Sequence, residues 1–170
     1  MKKIFVLFFL PLVAFTVVSD WKTVNIDSRV SIAFPNDPVV QDNGGNPTWQ
    51  AIINDHTMCM AMIIDFEKLG LDSAGVATEM AKDEQFASFR DGMLGKMPGA
   101  SVINEKKRIV SGRLTYDFIV DMGRDANSIN KMYNRNIFVG SKLYSLSFLE
   151  KQSQPEKDLR ETFFASFKVN

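Results

Sequence analysis

The chain is 170 residues long and carries 20 basic and 20 acidic side chains, so its formal net charge is zero. A balanced charge gives no electrostatic basis for binding nucleic acid or an anionic membrane surface. The single cysteine, Cys59, cannot form an internal disulfide. The hydrophobic core must therefore supply the stability of the fold.

The N-terminal segment has the pattern of a secretory signal peptide. Lys2 and Lys3 precede an apolar run, Ile4–Val18, which is shorter than the roughly 20 residues of a membrane-spanning helix. Small side chains then precede a polar segment, which predicts cleavage after Ser19. No cysteine lies directly after the run to carry a lipid, since Cys59 is far downstream. We therefore expect a periplasmic or secreted protein with no stable membrane anchor after cleavage, in which residues 20–170 form one domain.

Apolar alternation predicts four strands early in the mature chain. Trp21–Ile26 and Arg29–Phe34 flank a short turn, and Thr48–Asn54 and Thr57–Phe66 are predicted to form a hairpin. The last of these strands is apolar on both faces, which is typical of a central strand covered by two layers.

A long helix is predicted next, over Ala74–Leu94, with Asp72 or Ser73 as its N-terminal cap. Asp83 and Arg90 interrupt the apolar stripe of this helix. That interruption predicts a bend or a break near the middle.

The second half of the chain is predicted to be a meander followed by a helix. Residues 153–156 have the sequence of a capping box and are predicted to open the last helix. The order of elements predicts an α+β fold, an antiparallel β-sheet with helices packed on it in an α/β/α-type sandwich. The four meander strands, joined by short turns, are predicted over Ser101–Ile109, Arg113–Met122, Lys131–Val139 and Leu143–Glu150.

Three stretches of the chain resemble PsbP-like domains. Residues 29–35 are similar to the early strand that ends in Phe-Pro, the meander is similar to the body of that fold, and residues 163–169 are similar to its closing helix. The resemblance implies a PsbP-like fold and a non-catalytic binding or assembly module of the cell envelope, with a protein partner and no cofactor. It supplies no catalytic residues.

The segment from His56 to Met62 is the most specific candidate for a metal-binding or catalytic site. If the strand begins at His56, then His56, Met58, Met60 and Met62 share one face, and imidazole and thioether groups suit Cu(I). The alternative is a methionine-rich core, which predicts a buried Met60 whose replacement by Ala costs about 2–5 kcal/mol. A hydrolase with a Ser-His-Asp or Cys-His arrangement would have to use His56, the only histidine. Cys59 points to the opposite face of a regular strand, and no Gly-x-Ser-x-Gly motif is present.

A second candidate is a ligand or partner surface on the solvent-exposed face of the meander. Arg113, Asp117, Asp121 and Arg135 are predicted to gather there, either around a polar ligand or as ion pairs. As a surface residue, Asp117 should be replaceable by Ala at a cost within about 0.5 kcal/mol. Trp49 is added to this surface because tryptophan is enriched at interfaces, although a core position is the favoured alternative.

Overall fold

The computed structural model describes residues 21–125 and 127–170. The predicted signal peptide and its cleavage site lie outside the described residues. Within the described residues, no helix is long and apolar enough to cross a membrane.

A seven-stranded antiparallel sheet forms the middle of the domain, in the order β3-β4-β5-β9-β8-β7-β6. The hairpin β4–β5 and the meander β6–β9 confirm the predicted strands, whereas the edge strand β3 was not predicted. The strands are β3 Val39–Asp42, β4 Pro47–Asn54, β5 Thr57–Asp65, β6 Ser101–Val110, β7 Arg113–Asp121, β8 Lys131–Val139 and β9 Lys142–Glu150.

A smaller layer covers one face of this sheet. It combines helix α3, Lys157–Ala165, with a three-stranded sheet in the order β1-β2-β10. Its apolar side chains meet those of β9 in one core that includes Phe34, Phe148 and Phe163. The three strands are β1 Lys22–Asn25, β2 Val30–Phe34 and β10 Lys168–Val169.

The other face is covered by two short helices, α1 Ser73–Met80 and α2 Asp83–Leu94. The Asp72 carboxylate caps α1 by accepting a hydrogen bond from the backbone N–H of Gly75 at 2.7 Å. Lys82 is extended between the helices, so the backbone hydrogen-bond ladder stops there. The break predicted near the middle of the long helix is confirmed.

The start of α3 corrects the predicted capping box. The helix begins at Lys157, and the preceding Glu156 makes no side-chain capping bond. The backbone N–H of Glu156 instead donates to the buried carboxylate of Glu150 at 3.0 Å. The helix ends at Ala165, inside the stretch 163–169 that resembles a closing helix, because β10 follows and pairs with β2. The three layers confirm the predicted α+β sandwich.

Candidate functional site

The two faces of β5 have different environments. Cys59, Ala61 and Ile63 point into the core shared with β2 and α3 and are buried. Met60 and Met62, on the opposite face, are only half-buried. The prediction that Met60 is fully buried is wrong, since the helical layer does not close over this part of the sheet.

The sheet register builds two rows beneath α2. Met60 of β5 lies between Gln50 of β4 and Ser147 of β9. Two residues further along β5, Met62 lies between Thr48 and Ser145. Each row therefore presents a thioether flanked by small or amide-bearing polar groups.

Helix α2 supplies the roof over these rows. Phe89 and Met93 are one helical turn apart, as are Ser88 and Gly92, so all four line the same space. Gly92 has room beside it, because a Cβ placed there would meet no atom within 4 Å. The roof therefore leaves an unfilled volume above the sheet.

This space is a cavity of ≈ 610 Å³, which we call the methionine cavity. Strand β8 adds Met132 to its wall, and Gln41 of β3 and the following Asn43 also line it. Five methionines from two strands and from α2 and the turn that follows it thus converge on one space. The lining residues are Gln41, Asn43, Thr48, Gln50, Met60, Met62, Ser88, Phe89, Gly92, Met93, Lys96, Met97, Met132, Ser145 and Ser147.

Contacts with β6 and β7 determine where α2 lies over the sheet. Phe86 is the buried residue of this helix, and its ring packs against Tyr116 with the centroids 4.7 Å apart. The ammonium of Lys107 lies over the same ring, 4.8 Å from its centroid. On the following turn, Arg90 pairs with Glu105 at 3.0 Å. These contacts hold the helix toward β6 and β7 and leave the sheet uncovered above β4, β5 and β9.

Unused hydrogen-bonding groups remain on the cavity floor. The Ser147 hydroxyl donates to Asn134 Oδ1 at 2.8 Å, which leaves its oxygen able to accept. Within the described part of the chain, the side chains of Ser145 and Gln50 make no hydrogen bond to the protein. Lys96 is the one charged residue in the lining. The arrangement suits a largely apolar molecule that carries one or two uncharged polar groups.

The structure separates the residues of the predicted metal site. Met60 and Met62 line the methionine cavity, whereas His56 and Met58 are not among its lining residues. His56 lies in the turn between β4 and β5, where its Nδ1 is 2.8 Å from Asp55 Oδ1 and its Nε2 is 3.3 Å from Glu156 Oε1. Both ring nitrogens therefore face carboxylates.

Cys59 is buried in the core shared with β2 and α3 and lines neither the methionine cavity nor the surroundings of His56. Burial raises the pKa of its thiol to about 12. A thiol of that pKa stays protonated at neutral pH, and only the thiolate is a nucleophile or a good metal ligand.

The predicted polar surface is only partly assembled. Asp117 lies between two arginines, 2.5 Å from Arg108 Nη2 and 3.0 Å from Arg135 Nε. Asp121 pairs instead with Lys131 at 2.7 Å, and this hydrogen bond, with one from the Gly123 N–H, holds the pKa of Asp121 below its ordinary value. The structure thus brings Asp117 and Arg135 together and gives Asp121 a partner of its own.

Two further residues were assigned to that surface. The Arg113 guanidinium donates to the backbone carbonyl of Ser111 at 3.4 Å and lines the same cleft as Arg135. Trp49 is 8% exposed and belongs to the core shared with Phe34. The assignment of Trp49 to a partner surface is therefore wrong, because alternation along β4 turns its ring inward.

The methionine cavity was not predicted from the sequence. Its signal is the alternation of methionines along β5 combined with Gly92 and two methionines on or just beyond α2. These segments are about thirty residues apart in the sequence, and only the tertiary structure shows that they face each other.

Comparison with solved structures shows that the chain has a PsbP-like fold. It matches the solution structure of cyanobacterial PsbP (CyanoP) from Synechocystis sp. PCC 6803 with a TM-score of 0.62 and 16% sequence identity, covering 91% of this chain and 95% of that chain. A crystal structure from Bacteroides thetaiotaomicron VPI-5482 matches with a TM-score of 0.40 and 12% identity, covering 83% of this chain and 45% of that one. No protein-family model and no curated protein matches the chain.

Proposed function

We propose that the protein is an exported, non-catalytic binding module of the cell envelope that holds a small apolar ligand in the methionine cavity. The cavity itself carries this proposal. Its volume of ≈ 610 Å³ lies within the range of about 300–1,000 Å³ that is usual for small-molecule sites.

The chemistry of the lining supports an apolar ligand. Methionine side chains are flexible and polarizable, so they adapt to ligands of different shape. The single charged lining residue, Lys96, is exposed. An uncharged ligand can then bury its apolar surface in the cavity, while one polar group of the ligand hydrogen-bonds to Ser145 or Gln50 of the sheet.

The neutral probe N-phenyl-1-naphthylamine tests this site by fluorescence titration. We expect one saturable site with a blue-shifted emission. Gly92→Phe places a ring in the open space beside α2 and should weaken binding at least tenfold. Glu84→Phe is the matched control, because it adds the same ring to an exposed position of the same helix. Equal binding by both variants would contradict the proposal.

A protein partner in the envelope is a separate part of the proposal. The predicted signal peptide and the resemblance to PsbP-like assembly modules support it. Chemical crosslinking in an envelope extract should yield one defined adduct. A chain that sediments as a monomer in that extract and gives no adduct would argue against a partner, whatever the outcome with the probe.

A second candidate function is Cu(I) binding, which the convergence of five methionines on the cavity favours. Thioethers are ligands that select Cu(I). In a competition titration with a Cu(I) chelator, Met60→Leu with Met62→Leu should abolish binding of the metal. The same double variant keeps the cavity apolar and should retain the fluorescent probe.

The role of His56 separates two versions of the copper site. A site built from His56, Met58, Met60 and Met62 predicts that His56→Ala weakens Cu(I) binding strongly. A site confined to the methionine cavity predicts that His56→Ala has no effect, since the imidazole is held by Asp55 and Glu156. Cu(I) affinity that survives the Met60→Leu and Met62→Leu double variant would exclude both versions.

A further inference from the structure

A second cleft lies on the other face of the large sheet, beside α3. Its volume is ≈ 240 Å³, and we call it the arginine cleft. Arg108, Arg113 and Arg135 line it from β6, β7 and β8. Neither Asp nor Glu is among its described lining residues.

The arginine cleft has more positively charged side chains than carboxylates to pair with them. Asp117, which lies beside the cleft, is the carboxylate that pairs with Arg108 and Arg135. Among the described residues Arg113 has no ion pair, and the buried Nε of Arg108 has no hydrogen-bond partner. Three guanidinium groups thus share one carboxylate, which leaves two formal positive charges.

The wall opposite these charges is apolar. It is formed by Phe164, Phe167 and Val169 at the end of the chain and by Ile137 of β8. The guanidinium carbon of Arg135 lies 4.8 Å from the centroid of the Phe164 ring. Stacking on the ring and pairing with Asp117 hold Arg135 in a fixed orientation, so little conformational entropy is lost when it binds a ligand.

We infer that the arginine cleft binds a carboxylate attached to a small apolar group. The planar fork of a guanidinium matches the two oxygens of a carboxylate, and Arg113 has no anionic partner of its own. The aromatic wall then receives the attached apolar group. A small carboxylic acid and the C-terminal residue of a peptide both have this chemistry, and the volume accommodates about one side chain. This inference is independent of the methionine cavity.

Four probes test the ligand class by isothermal titration calorimetry or NMR titration. These are acetyl-Gly-Leu with a free carboxylate, the same dipeptide as its amide, 3-phenylpropionate, and inorganic phosphate. We expect at least one of the two apolar carboxylates to bind, the amide to bind at least tenfold more weakly, and binding to weaken as salt rises. Preference for the dipeptide would identify a peptide terminus, and preference for 3-phenylpropionate a small acid.

Two results would overturn the inference. One is equal binding of the dipeptide acid and its amide, since the carboxylate would then contribute nothing. The other is phosphate binding as tight as that of the apolar carboxylates, since the aromatic wall would then have no role.

A variant pair locates the site. Arg113→Gln should weaken binding of the carboxylate at least tenfold and leave the fold intact, because this side chain makes no ion pair among the described residues. Arg124→Gln removes the same charge from an exposed loop and should leave binding unchanged. Thermal melts confirm that both variants are folded. Unchanged binding in Arg113→Gln would place the ligand elsewhere and refute the assignment.

Discussion

Asp117 and Arg135 face each other directly across strands β7 and β8 and are joined by two hydrogen bonds, of 3.0 and 3.3 Å. Their side chains are only 25% and 27% exposed. The alternation of β7 correctly placed Asp117 on the side away from the helices α1 and α2. It did not show that α3 and β6 would enclose that position.

Asp117→Ala should therefore lower the stability by more than the roughly 0.5 kcal/mol that was expected from the sequence for a surface residue. The variant leaves Arg108 and Arg135 without their shared carboxylate. We expect a loss of about 1–2 kcal/mol in the free energy of unfolding, measured by urea titration. The control is Asp37→Ala, whose side chain is 81% exposed in its pair with Lys22. If both variants lose less than about 0.5 kcal/mol in the free energy of unfolding, Asp117 behaves as an ordinary surface residue.

The pH dependence of stability should report on Asp27. Burial alone would raise the pKa of this carboxyl, but hydrogen bonds from the Tyr144 hydroxyl, the Arg29 and Val30 N–H groups and Lys142 together lower it. A lowered pKa in the folded state means that the unfolded chain binds the proton more tightly. The contribution of Asp27 is therefore complete above its unfolded pKa of about 4 and is lost as the pH falls through the folded value.

Asp27→Asn tests this linkage directly. At pH 7 we expect a loss of about 1–3 kcal/mol in the free energy of unfolding, because the charged acceptor is removed from a mostly buried site. The difference from the wild type should narrow as the pH falls below about 4. Tyr144→Phe removes one donor and should raise the pKa of Asp27. A deficit that is constant from pH 7 to acid would show that ionisation of Asp27 is not involved.

Cys59 should be unreactive in the folded protein. Its buried thiol has a pKa of about 12, so the thiolate is scarce and a reagent has no access to it. Titration with a thiol-specific reagent should give no reaction in native buffer and one equivalent in denaturant. Rapid reaction of the native protein would mean that the core around β5 opens readily.

Met60→Ala should cost less than the 2–5 kcal/mol expected of a fully buried methionine. Met60 lines a cavity and is already partly exposed, so its loss removes fewer contacts. Leu146→Ala is the comparison, because Leu146 is completely buried on β9 and should show the full cost. Urea titration of the two variants should rank Leu146→Ala as the more destabilising. The reverse order would mean that α2 closes the methionine cavity in solution.

Export should remove the first nineteen residues. We expect a mature N-terminus at Asp20, and intact-mass spectrometry of the exported protein measures it. A mass that still includes Met1 to Ser19 would favour a retained membrane anchor.

Much of the fold could be predicted from local pattern. Alternation located the meander, and turn residues located its hairpins. Of the two charged residues that interrupt the predicted long helix, Asp83 lies at the break between α1 and α2, whereas α2 continues through Arg90. The end of the chain was less predictable, because β10 exists only through pairing with β2, roughly 140 residues earlier. The strand β3 is short, exposed and held by pairing with β4 alone, so it lacks a burial pattern of its own.

The candidate sites were predicted less completely than the fold. Methionines on one face of β5 were visible in the sequence, but a fully covered strand and a strand that lines a cavity have the same alternation. The difference is set by the position of α2, which depends on Phe86 reaching Tyr116 and Phe138. In the arginine cleft, Arg113 and Arg135 were assigned to a ligand or partner surface from the sequence, whereas Arg108 was not.

The small number of buried side chains in α1 and α2 also determines which part of the molecule opens first. Helix α2 has 12 residues and one buried side chain, and α1 has only 8 residues. Helices of this length are marginal on their own, so they depend on the sheet for their stability. We therefore expect the amide protons of α2 to exchange with solvent through local opening, whereas those of β5 and β9, which are hydrogen-bonded to a strand on each side, exchange only on global unfolding. Helix α2, which covers the methionine cavity, is therefore expected to have a lower free energy of local opening than the sheet beneath it.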